Sequence, residues 1–289
     1  MISNLQDLVA PLTEAEYLDA LLAGKMLLRR SSGENRFATM LDWDTFRKVI
    51  ESDIVPRDKL LVTRQGQKVP EKFYRDQGKL NAARLASLVS QGISLSVKKV
   101  DSYVPTLRAL CDNIETRVGE RVNAAAVMTT GGGGALRVHY DFYDIIVVQI
   151  EGSKRWRIYD PPVVNPIKEI PMPAKPPGDI MFDEVLQPGD FLSLPSGYWH
   201  HCDNGPGRSL HILIMFKPLT GSAGLKALLS QLLTEPIFRV RIGRLAGEER
   251  AAHEAALKTY LIEKVGQISL SELLAHGNKA AAHADSDDY

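Results

Sequence analysis

His139 and Asp141 stand two residues apart in RVHYDFYDIIVVQIEGSKRW, residues 137–156. On a strand, residues i and i+2 project from one face, close enough to hold a single ion between them. A histidine from a distant strand would complete a set of two His and one carboxylate. Such a facial set leaves positions open on the metal and favours non-haem Fe(II) used with oxygen. The candidate third ligand lies in PSGYWHH, residues 195–201. It is His200 or His201, because adjacent strand residues point opposite ways. An HxD pair alone also fits a solvated histidine at a strand start with Asp in a turn. Three features argue for more. HYD opens a strand in a β-rich region, PGDFLSLPSGYWHH runs from a turn through an apolar strand into histidine, and Lys154 follows the turn EGS.

Along KRWRIYD, alternation puts Lys154 on the face of Trp156 and Ile158, the face expected to point inward. A buried ammonium without a partner is costly, so an anion is its natural companion. With Fe(II) near His139 and Asp141, the candidate anion is 2-oxoglutarate. Its 2-oxo acid end would chelate the metal and its far carboxylate would pair with Lys154. The plainer alternative is a lysine that snorkels out at the strand end.

The elements that must position these groups fall into three stretches. Thr13 with Glu16 forms a capping signature for a helix, and MLL then reads as a short strand. WDTFRKVIES, NAARLASLVSQG and SYVPTLRALCDNIETRVG read as helices, the last two ended by Gly92 and Gly119. KLLVTRQGQKV reads as a hairpin with QG at its turn. From about residue 122 the texture changes to short apolar strands bounded by Gly, Pro, Asp and Asn: VNAAAVMTT, IIVVQI, RWRIYD, DFLSLP and SLHILIMF. Such a series predicts an antiparallel sandwich or small barrel. PPVVNPIKEIPMPAKPPGD, rich in proline, is expected to loop over one rim of it. From about 220 the pattern is helical again, through LKALLSQLLTEPIFRVRIGRL and EERAAHEAALKTYLIEKV, with a further capping box at Ser269 and Glu272. NKAAAHADSDDY is expected to be disordered.

Bulk properties narrow the function classes. The 289 residues carry 35 basic and 35 acidic side chains, so no overall field points to nucleic acid. Two cysteines, Cys111 and Cys202, rule out a disulfide framework and suit a reducing cytoplasm. No run approaches a membrane span, and the N-terminus does not read as a signal peptide.

HYDFYDIIVVQIEGSKRWRIYDPP, LQPGDFLSLPSGYWHH and SLHILI together resemble the JmjC-type, cupin-fold 2-oxoglutarate oxygenases. Within these they are most similar to the ribosomal-oxygenase branch, which hydroxylates ribosomal protein side chains. The factor-inhibiting-HIF asparaginyl hydroxylase is a more distant likeness. The resemblance covers roughly residues 15–217 and is strongest over 121–216. It implies an α+β chain with a mainly β core, a double-stranded β-helix (cupin or jelly roll) flanked by N-terminal helices and followed by a C-terminal helical region. It implies metal ligation by His139, Asp141 and His200; His200 is preferred because it stands three residues after Gly197. Lys154 falls where the family anchors 2-oxoglutarate, and Thr130 near where the family places a hydroxyl beside that co-substrate. His211, in SLHILI, is either a core histidine or a neighbour of the co-substrate. The domain expectation is an oxygenase domain over 1–219, a helical region over 220–280 with a dimerising role, and a tail over 281–289. The implied partners are molecular oxygen and a protein or peptide substrate, either ribosomal protein or a biosynthetic peptide, with neither nucleic acid nor membrane. Rival readings are N-methyl-lysine demethylation by the same chemistry and a metal-binding cupin that does not use 2-oxoglutarate.

Other residues have plainer expectations. Tyr140 points away from the HxD face and Trp199 packs. Tyr143 and Asp144 either pack or line a substrate mouth. GGGG, residues 131–134, is not a phosphate loop and reads as a flexible lip. RVRIGR reads as a solvated face.

Overall fold

A computed structural model describes residues 2–269 except Gly132, Ala135, Pro177, Pro206 and Ile268; of Gly133 and Gly134 the backbone alone is described. The helices of the first half are α1 (Leu5–Val9), α2 (Glu14–Leu22), α3 (Trp43–Glu51), α4 (Ala82–Ser90) and α5 (Pro105–Val118). Threaded among them are β1 (Leu27–Arg29), β2 (Leu60–Arg64), β3 (Gln67–Lys68), β4 (Arg75–Asp76), β5 (Lys79–Leu80) and β6 (Ser94–Val97). The strand-rich part follows: β7 (Arg121–Thr130), β8 (Gly133–Gly134), β9 (Asp144–Glu151), β10 (Lys154–Tyr159), β11 (Ile180–Leu186), β12 (Phe191–Leu194), β13 (Trp199–Asn204) and β14 (Arg208–Lys217). Two helices close the described chain, α6 (Gly221–Leu232) and α7 (Gly247–Gln267).

Local chemistry explains the boundaries. Thr13 and Glu16 form a reciprocal capping box on α2. Asp42 and Asn81 cap α3 and α4 through their side chains. Helix α5 starts at Pro105, whose missing N–H costs nothing in the first turn, and ends on Gly119 at φ +75°. Gln65 and Gly66, both at positive φ, make the two-residue turn that joins β2 to β3.

The strands form an eight-stranded sheet in the order β1-β12-β9-β14-β7-β6-β2-β3 and a four-stranded sheet in the order β11-β10-β13-β8. All their pairings are antiparallel. One face of the large sheet carries Val122, Ala124, Ala126, Met128, Ile146, Val148, Ile212 and Ile214 into a core shared with Leu5, Leu8, Tyr17, Phe46, Leu107 and Ile114 of the N-terminal helices. Its other face sends Ala125, Ile145, Val147 and Met215 against Trp156, Ile158 and Leu186 of the small sheet. The result is a mainly β, α+β jelly roll with helices backing one sheet: the antiparallel sandwich that the strand series predicts, in the form that the family resemblance implies.

The chain divides into two compact units, Met1–Pro218 and Leu219–Tyr289. Within the second, α6 is capped by Thr220 and buries Ala227, Leu228 and Leu232. The helical pattern expected to run on to residue 245 stops here. Pro236 lacks an amide proton for the helix, and the chain continues as short 3-10 turns at Pro236–Arg239 and Ile242–Arg244 before α7. Glu272 of the expected capping box and the tail 281–289 lie outside the described residues. Among the described residues no helix is long and apolar enough to cross a membrane.

Candidate active site

β10 and β13 are paired so that Ile158 faces His200, Trp156 faces Cys202 and Lys154 faces Asn204. Residues directly opposite in an antiparallel pair share a face. All six therefore point between the sheets, with His201 and Asp203 on the outside. There the His201 Nε2–H donates to the Asp203 carboxylate at 2.9 Å, and Asp203 pairs in turn with Arg157. Of the two adjacent histidines, His200 is the one that enters.

His139 reaches the same place by bridging to β13. Its N–H donates to the His200 carbonyl at 3.1 Å and its carbonyl accepts from the His200 N–H at 2.7 Å. Asp141 is held by the Gly197 N–H, which donates to its carbonyl. One ligand atom from each of His139, Asp141 and His200 lies within 4.8 Å of the others. The His139 Nε2–Asp141 Oδ1 distance is 3.9 Å, and the His200 Nε2–Asp141 Oδ2 distance is 3.8 Å. Each imidazole has its Nδ1 beside a backbone carbonyl, Arg137 at 2.8 Å and Tyr198 at 3.0 Å. A carbonyl only accepts, so Nδ1 carries the proton and Nε2 presents its lone pair to the cluster. Burial, reinforced by His139 and opposed by Asp141, pushes the His200 imidazole down to about 4, which keeps it neutral and able to ligate. Two imidazoles and a carboxylate on one side suit a divalent ion with open positions, and among such ions Fe(II).

Lys154 has no solvent exposure, and its Nζ donates to the Thr129 hydroxyl at 2.9 Å. Among the described residues it makes no ion pair. Burial pushes its pKa below the ordinary lysine range. Around it, on inward faces, stand buried polar atoms that make no hydrogen bond: His211 Nδ1, Asn204 Oδ1 and Trp156 Nε1. His211 lies edge-on to the Trp156 ring at 5.9 Å, and that ring lies 5.6 Å from His200. Burial, and after it Lys154, holds His211 neutral, well below the ordinary histidine range. An ammonium and an indole N–H unmatched by any carboxylate fit an anionic group between the two sheets.

The expectation for Thr130 is corrected. Its hydroxyl donates to the Val89 carbonyl at 2.6 Å on the opposite face of β7. The hydroxyl beside Lys154 is that of Thr129, one residue earlier. Both faces of β7 are buried, so its sequence shows no alternation from which to choose between the two. Tyr143 packs in the inner apolar cluster with the Lys217 ammonium 3.9 Å above its ring, and the Asp144 carboxylate accepts from Ser196 N–H; both serve packing and turn structure. Tyr140 stacks edge-on against Trp199 at 4.9 Å, away from the cluster. In the glycine run, Gly133 and Gly134 pair through their backbone with Asn204 and Asp203. The proline-rich segment is tied to the site where Val163 N–H donates to the Gly197 carbonyl. Gly197, at φ +83°, has no room for a Cβ, which would collide with the Val163 carbonyl.

Residues 101–222 match the model of the JmjC domain. A bifunctional lysine-specific demethylase and histidyl-hydroxylase NO66 of Drosophila persimilis is 26% identical over 219 residues, 73% of this chain and 31% of the relative. The protein of the same name from Drosophila mojavensis is 33% identical over 128 residues, 43% of this chain and 14% of the relative. The chain thus spans less than a third of either relative. Among solved structures, Escherichia coli YcfD superposes with a TM-score of 0.61 at 18% identity, over 93% of this chain and 70% of that one. The ribosomal oxygenase YcfD in complex with cobalt and 2-oxoglutarate gives 0.57 at 18% identity, over 89% and 68%. With the jelly roll, the three-ligand cluster and these matches in place, residues 101–222 are similar to a JmjC domain, carried on the fold seen in Escherichia coli YcfD.

Proposed function

We propose that this protein is an Fe(II)- and 2-oxoglutarate-dependent oxygenase that hydroxylates a side chain of a protein or peptide substrate, ribosomal protein being the first class to test. The observation that carries the reading is the fully buried Lys154 on the same inner face as the His139–Asp141–His200 cluster. A metal cupin that does not use 2-oxoglutarate has no need of a buried ammonium there. The names of the relatives, an oxygenase of ribosomes and a demethylase and histidyl-hydroxylase, support a protein substrate.

In this reading His139 Nε2, Asp141 and His200 Nε2 hold the iron on one side. Lys154 pairs with the far carboxylate of 2-oxoglutarate, with Trp156 and His211 beside it. Bound iron and 2-oxoglutarate supply the oxidative chemistry, in which oxygen converts 2-oxoglutarate to succinate and carbon dioxide while a substrate C–H becomes C–OH. Ile158, opposite His200, belongs with Val147 and Ile145 to one apolar cluster between the sheets, which would keep bulk water from the iron. The unpaired cysteines accord with a cytoplasmic protein. Leu225, Leu229 and Leu233, exposed at four-residue spacing in the second unit, support self-association through the C-terminal helices, which light scattering tests.

The first experiment is an anaerobic titration with Fe(II) and 2-oxoglutarate, following the visible charge-transfer band in the unmodified protein and in Lys154→Ala. A saturable band that weakens in the variant supports the reading. Iron binding with no band overturns it. Succinate release, and a product heavier by one oxygen atom, identify hydroxylation; a product lighter by one methylene identifies the second reading suggested by the relatives' name, demethylation.

A further inference from the structure

Lys154 is oriented by a chain of two hydroxyls. Its Nζ donates to Thr129 Oγ1 at 2.9 Å, and Thr129 Oγ1 lies 2.9 Å from Ser94 Oγ. All three side chains are buried, with Ser94 at 4% exposure and Thr129 at 2%. Ser94 faces Thr129 across β6 and β7, so the contact is built into the strand register. A hydroxyl has one proton to give. Thr129 accepts from the ammonium, and its own proton needs an acceptor on the far side. Either hydroxyl can donate across the Thr129–Ser94 contact, and Ser94 Oγ stands where it can take that proton. With the proton drawn towards Ser94, the Thr129 lone pairs stay turned to Lys154, and the bonds of the chain strengthen one another in their dry setting. Strand β6 precedes the segment matched to the JmjC domain, which begins at residue 101.

We propose that Ser94 is a positioning residue for the anion-binding end of the site: through Thr129 it fixes where the Lys154 ammonium stands. The proposal rests on the reading of Lys154 as the anchor of the far carboxylate. It ties co-substrate affinity to a strand outside the matched domain.

The test is the anaerobic charge-transfer titration on the full chain, with two ligands: 2-oxoglutarate, and 2-oxobutyrate, which keeps the 2-oxo acid and lacks the far carboxylate. Ser94→Ala is expected to weaken 2-oxoglutarate about three- to tenfold, the size of one net hydrogen bond. It should leave 2-oxobutyrate and Fe(II) affinity unchanged. In a Lys154→Ala background it should add nothing further. Thr129→Val, nearly isosteric, should weaken 2-oxoglutarate at least as much and serves as the second variant if Ser94→Ala folds poorly. Unchanged 2-oxoglutarate affinity in both variants overturns the proposal while leaving the oxygenase reading intact. Equal weakening of both ligands also overturns it, because a general loosening of the fold would act on both. No band in the unmodified protein overturns the oxygenase reading, and this proposal with it.

Discussion

The two faces of the large sheet are built from the same strands and differ in almost everything else. On the face under the N-terminal helices, β7, β9 and β14 present Ala124, Ala126, Met128, Ile146, Val148, Ile212 and Ile214, with no charge among them. On the face towards the small sheet, the alternate residues of these strands include Asn123, Thr129, Gln149, Ser209 and His211, every one of them buried. The outer row removes apolar surface from water and supports the fold. The inner row gives up part of that gain to hold polar groups between the sheets, Thr129 and His211 among them beside Lys154. Odd and even positions of one strand thus serve different ends.

The sharpest way to break this division is to remove an inner ligand. Asp141→Ala is expected to abolish turnover and weaken Fe(II) by more than about 100-fold, beyond the usual loss from a mere supporting residue. The melting temperature of the metal-free protein should stay close to that of the parent; calorimetry and metal titration on one sample check both halves. Lys154→Ala should retain iron and lose about 100-fold or more in 2-oxoglutarate affinity, as when one member of a buried charge pair is truncated. The same lysine predicts a pH dependence. Burial lowers its pKa in the free protein, and a bound carboxylate would raise it again. Binding then takes up a proton between the lowered value and the ordinary lysine range, so affinity falls as pH rises through that window. Calorimetric titration in buffers of different ionisation enthalpy reads the uptake directly, and its absence would place the far carboxylate elsewhere.

On the opposite face the expected effects reverse. Ile212→Ala should cost about 2–5 kcal/mol in stability by leaving a cavity, read by urea unfolding, with Fe(II) affinity of the folded protein unchanged. Smallest is a swap between neighbours. Thr130→Val loses a hydroxyl bonded to the Val89 carbonyl and should cost about 1 kcal/mol of stability, with 2-oxoglutarate affinity intact. Were Thr130→Val to weaken the co-substrate more than Thr129→Val, the assignment of faces on β7 would be wrong.

That pair of threonines also shows how far the sequence could be read. HYD, Lys154 and the WHH bend were legible because each sits where apolar periodicity makes a polar residue conspicuous. The strands IIVVQI and SLHILIMF were legible for their β-branched density. β6 was not, and β13 was legible only as far as its histidine pair. SLSV is four residues with two serines, and WHHCDN is mostly polar, so neither stands out as a buried strand until a partner strand supplies its second face. Strand β11 was hidden by the proline-rich run before it and by its own exposure at the sheet edge. Ser94 was lost with β6. The alternation of Ser with Leu and Val was its one signal, too short to separate from a loop.

The outer face of the small sheet has a consequence for assembly. Arg155 grips Asp183 through two bonds, Arg157 pairs with both Asp183 and Asp203, and Asp203 holds His201, linking β11, β10 and β13 side by side. Sliding β13 by one residue would turn His201 and Asp203 inward and send His200 to the surface. That slip would install a decoy histidine in the site, yet it would also break the Arg157–Asp203 pair that joins β10 to β13 and bury a carboxylate. The Arg157–Asp203 pair therefore keys β13 to β10: the slip that would exchange His200 for His201 is one that the surface charge opposes.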